Sequence, residues 1–193
     1  MILPKKKKRK LATLPKNGVW YYAYGSNLSI TQMHARCPGA IQIKDLSLAY
    51  GRLVFRGVAD CLVTDDENDI IHGGLWYISQ RHESILDGVE GVRSKFYLKR
   101  YIKLQVDGVP VNAMFYLMNP KLEGLASGVM PPGPRYLDTI VQGYRDFGLP
   151  LEALNNALAE AWDNKNVTPL LARRKLQRNE KLARRIRNME WVQ

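Results

Sequence analysis

A chain of 193 residues with 46% hydrophobic side chains is expected to form one domain with a substantial core, and no apolar run approaches the roughly 18 residues of a membrane span. The formal charge of +11 is unevenly divided: residues 1–16 carry seven basic and no acidic side chains, 165–193 carry nine basic against two acidic, and 17–164 carry 13 basic against 16 acidic. The excess charge therefore lies in the two ends and says nothing about a ligand of the middle, while two cysteines, Cys37 and Cys61, are too few for a disulfide framework and fit a reducing compartment.

Residues 1–17 are charge-rich and aperiodic, which predicts a flexible basic arm. No apolar segment of the secretory type follows it, so it is not expected to be a leader. "VWYYAY" (19–24) predicts a short buried strand that ends in a Gly-Ser-Asn corner. Ser29 is placed to cap a short helix over "ITQMHARC", which Pro38-Gly39 ends. Residues 40–50 and 51–57 alternate in polarity and are expected to pair as strands, with "VADCLV" following. "TDDEND" (64–69) predicts a solvated acidic tip, since it lacks the Gly and distal Glu of a calcium loop. "IIHGGLWYIS" (70–79) predicts a further strand, in which Gly73-Gly74 marks either a bulge or a close backbone approach.

"QRHESILDGVEG" (80–91) reads as one short helix closed by Gly91, and residues 95–118 as a hairpin turning at Asp107-Gly108. "SGVMPPGPRY" is a Pro/Gly-rich loop. Two helices are then predicted, the first ending near Gly148 and the second starting near Pro150, with Leu151, Leu154, Leu158 and Trp162 as the latter's apolar stripe. Residues 168–190 read as a basic helix. Strands first and helices last predict an α+β fold: a small mixed β-barrel or curled sheet with flanking helices. The domain boundaries follow as a 1–17 arm, an 18–164 domain and a 165–193 basic helix or tail.

For chemistry, the residues exclude more than they offer. There is no phosphate-binding Gly spacing, no His/Cys set at metal-ligand spacing and no Gly-x-Ser-x-Gly elbow that would make Ser26 a nucleophile. Two features remain. The Gly25-Ser26-Asn27 corner either is a plain turn or converges backbone N–H groups on a carbonyl oxygen or anion. Glu90 sits among Val89, Gly91 and Val92 near a helix end: either an ordinary surface carboxylate, or one whose apolar setting raises its pKa towards proton transfer at neutral pH.

"YYAYGSNL", "HGGLWYI" and "LDGVEGVRSKFYLKR", in that order, resemble the γ-glutamylcyclotransferase family, as do "RCPGA", "FYLM" and "PPGPRYLDTIVQGYRDFGLPLE". The resemblance spans roughly residues 19–163 and neither basic end. It implies that Glu90 is the catalytic acid/base. It places the substrate loop on Tyr21, Tyr22, Ala23, Tyr24, Gly25, Ser26 and Asn27, and pocket tyrosines on Tyr97, Tyr116 and Tyr136. The implied reaction is cyclisation of a γ-glutamyl amino acid or peptide to 5-oxoproline with release of the amine, needing no metal or cofactor, in a cytoplasmic monomer or homodimer.

The rival expectation comes from the ends. "PKKKKRK" and "ARRKLQRNEKLARRIR" fit contact with a polyanion such as RNA or DNA, and the former also resembles a nuclear import signal. On that reading the protein has a non-enzymatic or dual role in binding nucleic acid or the ribosome.

Overall fold

The computed structural model describes residues 13–122 and 129–163. The basic arm up to residue 12, the basic C-terminal segment from residue 164 and part of the Pro/Gly-rich loop lie outside the described residues.

A five-stranded mixed sheet is built from β1 (Val19–Ala23), β2 (Ile41–Leu48), β5 (Ile71–Ile78), β6 (Tyr97–Val106) and β7 (Val109–Met118), in the order β2-β5-β1-β7-β6. β1 lies at its centre, antiparallel to β5 and parallel to β7. β3 (Gly51–Phe55) and β4 (Ala59–Val63) form a separate antiparallel pair. The sheet is open, with β2 and β6 at its edges, so the barrel alternative is not realised. Among the described residues four helices flank it: α1 (Ile30–Arg36), α2 (Gln80–Val89), α3 (Pro134–Phe147) and α4 (Leu151–Asp163). None of the described helices is long and apolar enough to cross a membrane.

The 95–118 hairpin forms as expected, with positive φ at Asp107 and Gly108, and Ser29 caps α1 by accepting from the Gln32 N–H. Two expectations are corrected. β2 pairs with β5 rather than with β3. Alternation in polarity tells which face a strand buries, not which neighbour it takes. β5 is buried along nearly its whole length and accepts strands on both sides, while Tyr50, at φ 62°, turns the chain out of the sheet before β3. In α4 the fully buried residues are Leu154, Ala157 and Ala161, whereas Leu151 and Trp162 are exposed. Leu154 is buried and Leu158 partly so, as expected, but Ala157 and Ala161 complete the inner face in place of Leu151 and Trp162.

The Gly73-Gly74 pair is a close approach. A Cβ on Gly73 would come within 2.5 Å of the Ala23 carbonyl oxygen, and one on Gly74 within 2.3 Å of the Phe147 ring. The strand irregularity lies instead in β2, between Gln42 and Lys44. α3 holds the end of β1 in place. Gly143 admits Leu28 so closely that a Cβ would stand 2.4 Å from that residue's own, and the Asp146 carboxylate accepts the Ile30 N–H at 2.8 Å. The corner after β1 is thus clamped from behind by a helix that is remote from it in sequence.

Candidate active site

β1 runs into a single 3₁₀ turn, Ser26–Leu28, closed by the Leu28 N–H on the Gly25 carbonyl at 3.0 Å. Ser26, Asn27 and Leu28 are all buried. Facing this turn is the C-terminal end of α2, which Glu90 caps and Gly91, at φ 62°, terminates in the left-handed region. Between them lies an open cavity of about 180 Å³. Its walls include Tyr21, Tyr24, Gly25, Ser26, Asn27, Glu90, Tyr97, Tyr116 and Tyr136, so residues scattered from 21 to 136 converge there.

Tyr22 and Ala23 stand differently from the rest of the expected substrate loop. Tyr22 borders the cavity, but its hydroxyl donates to the carbonyls of Leu46 and Ile71, at 3.2 and 3.0 Å. Ala23 is buried and is not among the cavity's walls. Side chains alternate along a strand, so Tyr21 and Tyr22, adjacent in sequence, cannot both present their rings to one side.

The phenols are held by specific bonds. Tyr24 donates to the Tyr116 carbonyl at 2.5 Å, Tyr97 to the Ala59 carbonyl at 2.5 Å and Tyr116 to Asp87 Oδ1 at 2.8 Å. Tyr136 accepts the Ala59 N–H at 3.2 Å and shares a hydrogen bond with Ser26. Tyr21 accepts from Asn27 Nδ2 at 2.8 Å, and its own proton goes to no acceptor among the described residues. Burial pushes all five phenols above their ordinary pKa, so each stays protonated and neutral.

Glu90 Oε1 accepts from Asn27 Nδ2 at 3.0 Å, and Oε2 makes no hydrogen bond among the described residues. Burial raises its pKa, while Arg36 and the Asn27 hydrogen bond pull it back down. A carboxylate with one oxygen anchored and one unengaged at a cavity is arranged for proton exchange. Among the described residues no group of three His, Cys, Asp or Glu could hold a metal ion.

Beyond Val89, which was noted only as an apolar neighbour of Glu90, four wall residues were not expected from the sequence: Arg36, Val58, Ala59 and Phe96. Arg36 belongs to "RCPGA", a segment that entered the family resemblance without any of its residues being assigned to the site. Nothing local marks the others, because β4 and the start of β6 reach the site only through the tertiary fold. Of the Pro/Gly-rich stretch 127–136, Tyr136 is placed at the cavity, whereas residues 127 and 128 are outside the described part.

A γ-glutamylcyclotransferase of Mus musculus is 30% identical over 145 residues, 68% of this chain and 73% of that one. The chain belongs to the γ-glutamylcyclotransferase family. The Homo sapiens γ-glutamylcyclotransferase matches at 29% identity over the same shares of the two chains. An AIG2-like family model matches residues 70–156. A solved γ-glutamyl cyclotransferase superposes with a TM-score of 0.62 at 28% identity, covering 74% of this chain and 88% of that one. Membership supports an enzyme of the γ-glutamylcyclotransferase type, a family that a small-molecule γ-glutamyl substrate fits, and does not favour a purely binding role for the chain.

Proposed function

We propose that the protein cyclises a γ-glutamyl amino acid or peptide to 5-oxoproline, with Glu90 as general base and then general acid. The observation that carries this reading is the placement of the half-anchored Glu90 carboxylate across a small cavity from the Tyr24–Asn27 corner.

The substrate holds its own nucleophile. Its α-amine, protonated at neutral pH, gives a proton to Glu90 and attacks the γ-carbonyl carbon, closing a five-membered ring. The new C–N bond makes a tetrahedral oxyanion, which the corner's backbone N–H groups receive. Tyr21, whose proton lacks an acceptor among the described residues, is a further donor facing the same space. The attacking nitrogen still carries one proton too many for a lactam. Collapse breaks the original amide C–N bond as Glu90 gives its proton to the departing nitrogen, and the freed carboxylate takes the ring nitrogen's second proton and passes it to the released amine, which leaves as an ammonium. Atoms balance without water or any redox partner. The cavity contributes by folding the chain so that amine and carbonyl meet, and each oxyanion donor is typically worth about 10²–10³ in kcat.

The test is 5-oxoproline release from γ-glutamyl-alanine, glutathione and a γ-glutamylamine, with Glu90→Gln beside the wild type. Release that falls by about 10²–10⁴-fold in the variant is expected for a lost general acid/base. Turnover close to wild type in a folded Glu90→Gln protein would overturn the assignment. The best substrate in the panel identifies the leaving group.

A further inference from the structure

We propose that Arg36 is a positioning residue for this reaction, acting on Glu90 through the side-chain amide of Asn27. The inference rests on the reading of Glu90 as the base.

Arg36 ends α1, and its Nη1 donates to Asn27 Oδ1 at 2.6 Å. The other end of that amide, Nδ2, forks to Tyr21 and Glu90. A guanidinium has donors only. An Asn27 amide turned by about 180° would set its NH₂ against the guanidinium and its oxygen against the Glu90 carboxylate. Both contacts would be repulsive. Arg36 therefore dictates which way Asn27 faces, and Asn27 dictates which Glu90 oxygen is anchored and which is left for the substrate. Tyr21 is set by the same fork. One cation thus orders two groups proposed to touch substrate without using a hydrogen bond on either of them.

Its charge acts in the same direction. Glu90 is faced by Tyr21 from β1, Tyr24 just after it, Tyr97 from β6, Tyr116 from β7 and Tyr136 from α3, all neutral phenols. Asp60, which acts on Tyr24 and Tyr97, is ion-paired with Arg56. Among the described cavity walls Arg36 is the one cation, and it opposes the upward push of burial on Glu90. Without it the carboxylate would hold its proton to higher pH and be a less available base.

The experiment compares Arg36→Gln, Arg36→Lys, Asn27→Ala, the Arg36→Gln/Asn27→Ala pair and Glu90→Gln, each with full kinetics across pH and a melting curve. Arg36→Gln should lower kcat by roughly 10-fold or more, the scale of a lost charge-assisted hydrogen bond. It should also move the acid limb of the kcat/KM profile to higher pH. Arg36→Lys, which keeps the charge, should leave that limb near the wild-type position and restore much of kcat. In kcat the double variant should be little worse than Asn27→Ala alone, since the orientation passes through Asn27, whereas the acid limb should move further up, because the charge of Arg36 also acts on Glu90 directly. Additive losses, or an effect confined to KM with the limb unmoved, would overturn the proposal and make Arg36 a direct substrate contact. Should Arg36→Gln fail to fold, Arg36→Met keeps the apolar stem and offers the same comparison. The two readings separate cleanly: an inactive Glu90→Gln with an unaltered Arg36→Gln sinks this inference alone, while an active Glu90→Gln sinks both.

Discussion

Two carboxylates near the end of β1 have similar electrostatics and opposite fates. Asp60, in β4, is buried, and burial is the largest influence raising its pKa, as it is for Glu90. An arginine opposes the shift in each case, Arg56 for Asp60 and Arg36 for Glu90. The difference is in bonding. Asp60 Oδ2 takes the Arg56 Nε–H at 2.9 Å, and Oδ1 takes the backbone N–H groups of Cys61 and Met118 at 2.9 and 3.1 Å. Both oxygens are engaged, and the bond to Met118 ties β4 to the end of β7. Glu90 has one anchored oxygen, reached through an intermediary amide, and one unengaged oxygen at a cavity. A raised pKa does not tell a structural acid from a reactive one. Unused acceptor capacity beside space for a ligand does.

The sharpest way to break this contrast is Asp60→Ala. It removes the carboxylate that Arg56 Nε and two backbone N–H groups bond, and removing one partner of a buried pair typically costs about 3–5 kcal/mol. Denaturant unfolding should show a loss on that scale. A variant as stable as wild type would mean that the Asp60 network is not structural, and the contrast would fail.

A smaller effect is expected at Gly25. A Cβ there would stand 3.0 Å from the Ala59 Cβ and 3.6 Å from the Tyr136 hydroxyl. Gly25→Val should raise KM and lower kcat together, roughly 10-fold or more in kcat/KM if one oxyanion donor is displaced. Unchanged kinetics would remove the corner from the site.

The smallest effect is on the stability of Glu90→Gln. The folded-state pKa of Glu90 is raised above its unfolded value, so ionising it disfavours the folded state. That cost is fully present above the folded pKa and vanishes as pH falls below the unfolded value of about 4.3. Glu90→Gln should therefore melt at or slightly above the wild-type temperature near neutral pH, by about 2–4 °C for each kcal/mol relieved. The two proteins should converge below about pH 3, where the wild-type carboxyl is protonated in both states. A variant that melts well below wild type at neutral pH would place Glu90 among the structural acids, with Asp60.

The features legible in the sequence are those set by neighbours along the chain. The Asp107-Gly108 turn, the Ser29 cap, Gly91 and Gly148 closing their helices, and the corner after β1 all depend on local backbone preference. The family resemblance rests on such stretches too, which is why Glu90 and the 24–27 corner could be named before their distance was known.

Partner choice was not legible. The pairing of β2 with β5 and the place of Ala157 and Ala161 on the inner face of α4 depend on surfaces brought together from distant segments. Arg36 belongs with them: nothing in "RCPGA" says that its guanidinium will meet Asn27 across the start of α1. The sequence by itself determined an α+β chain with a corner, a carboxylate and two basic ends, because turns, caps and periodicity are local. The tertiary structure decided which carboxylate is saturated and which is open, because hydrogen-bond satisfaction is a property of the space around a group.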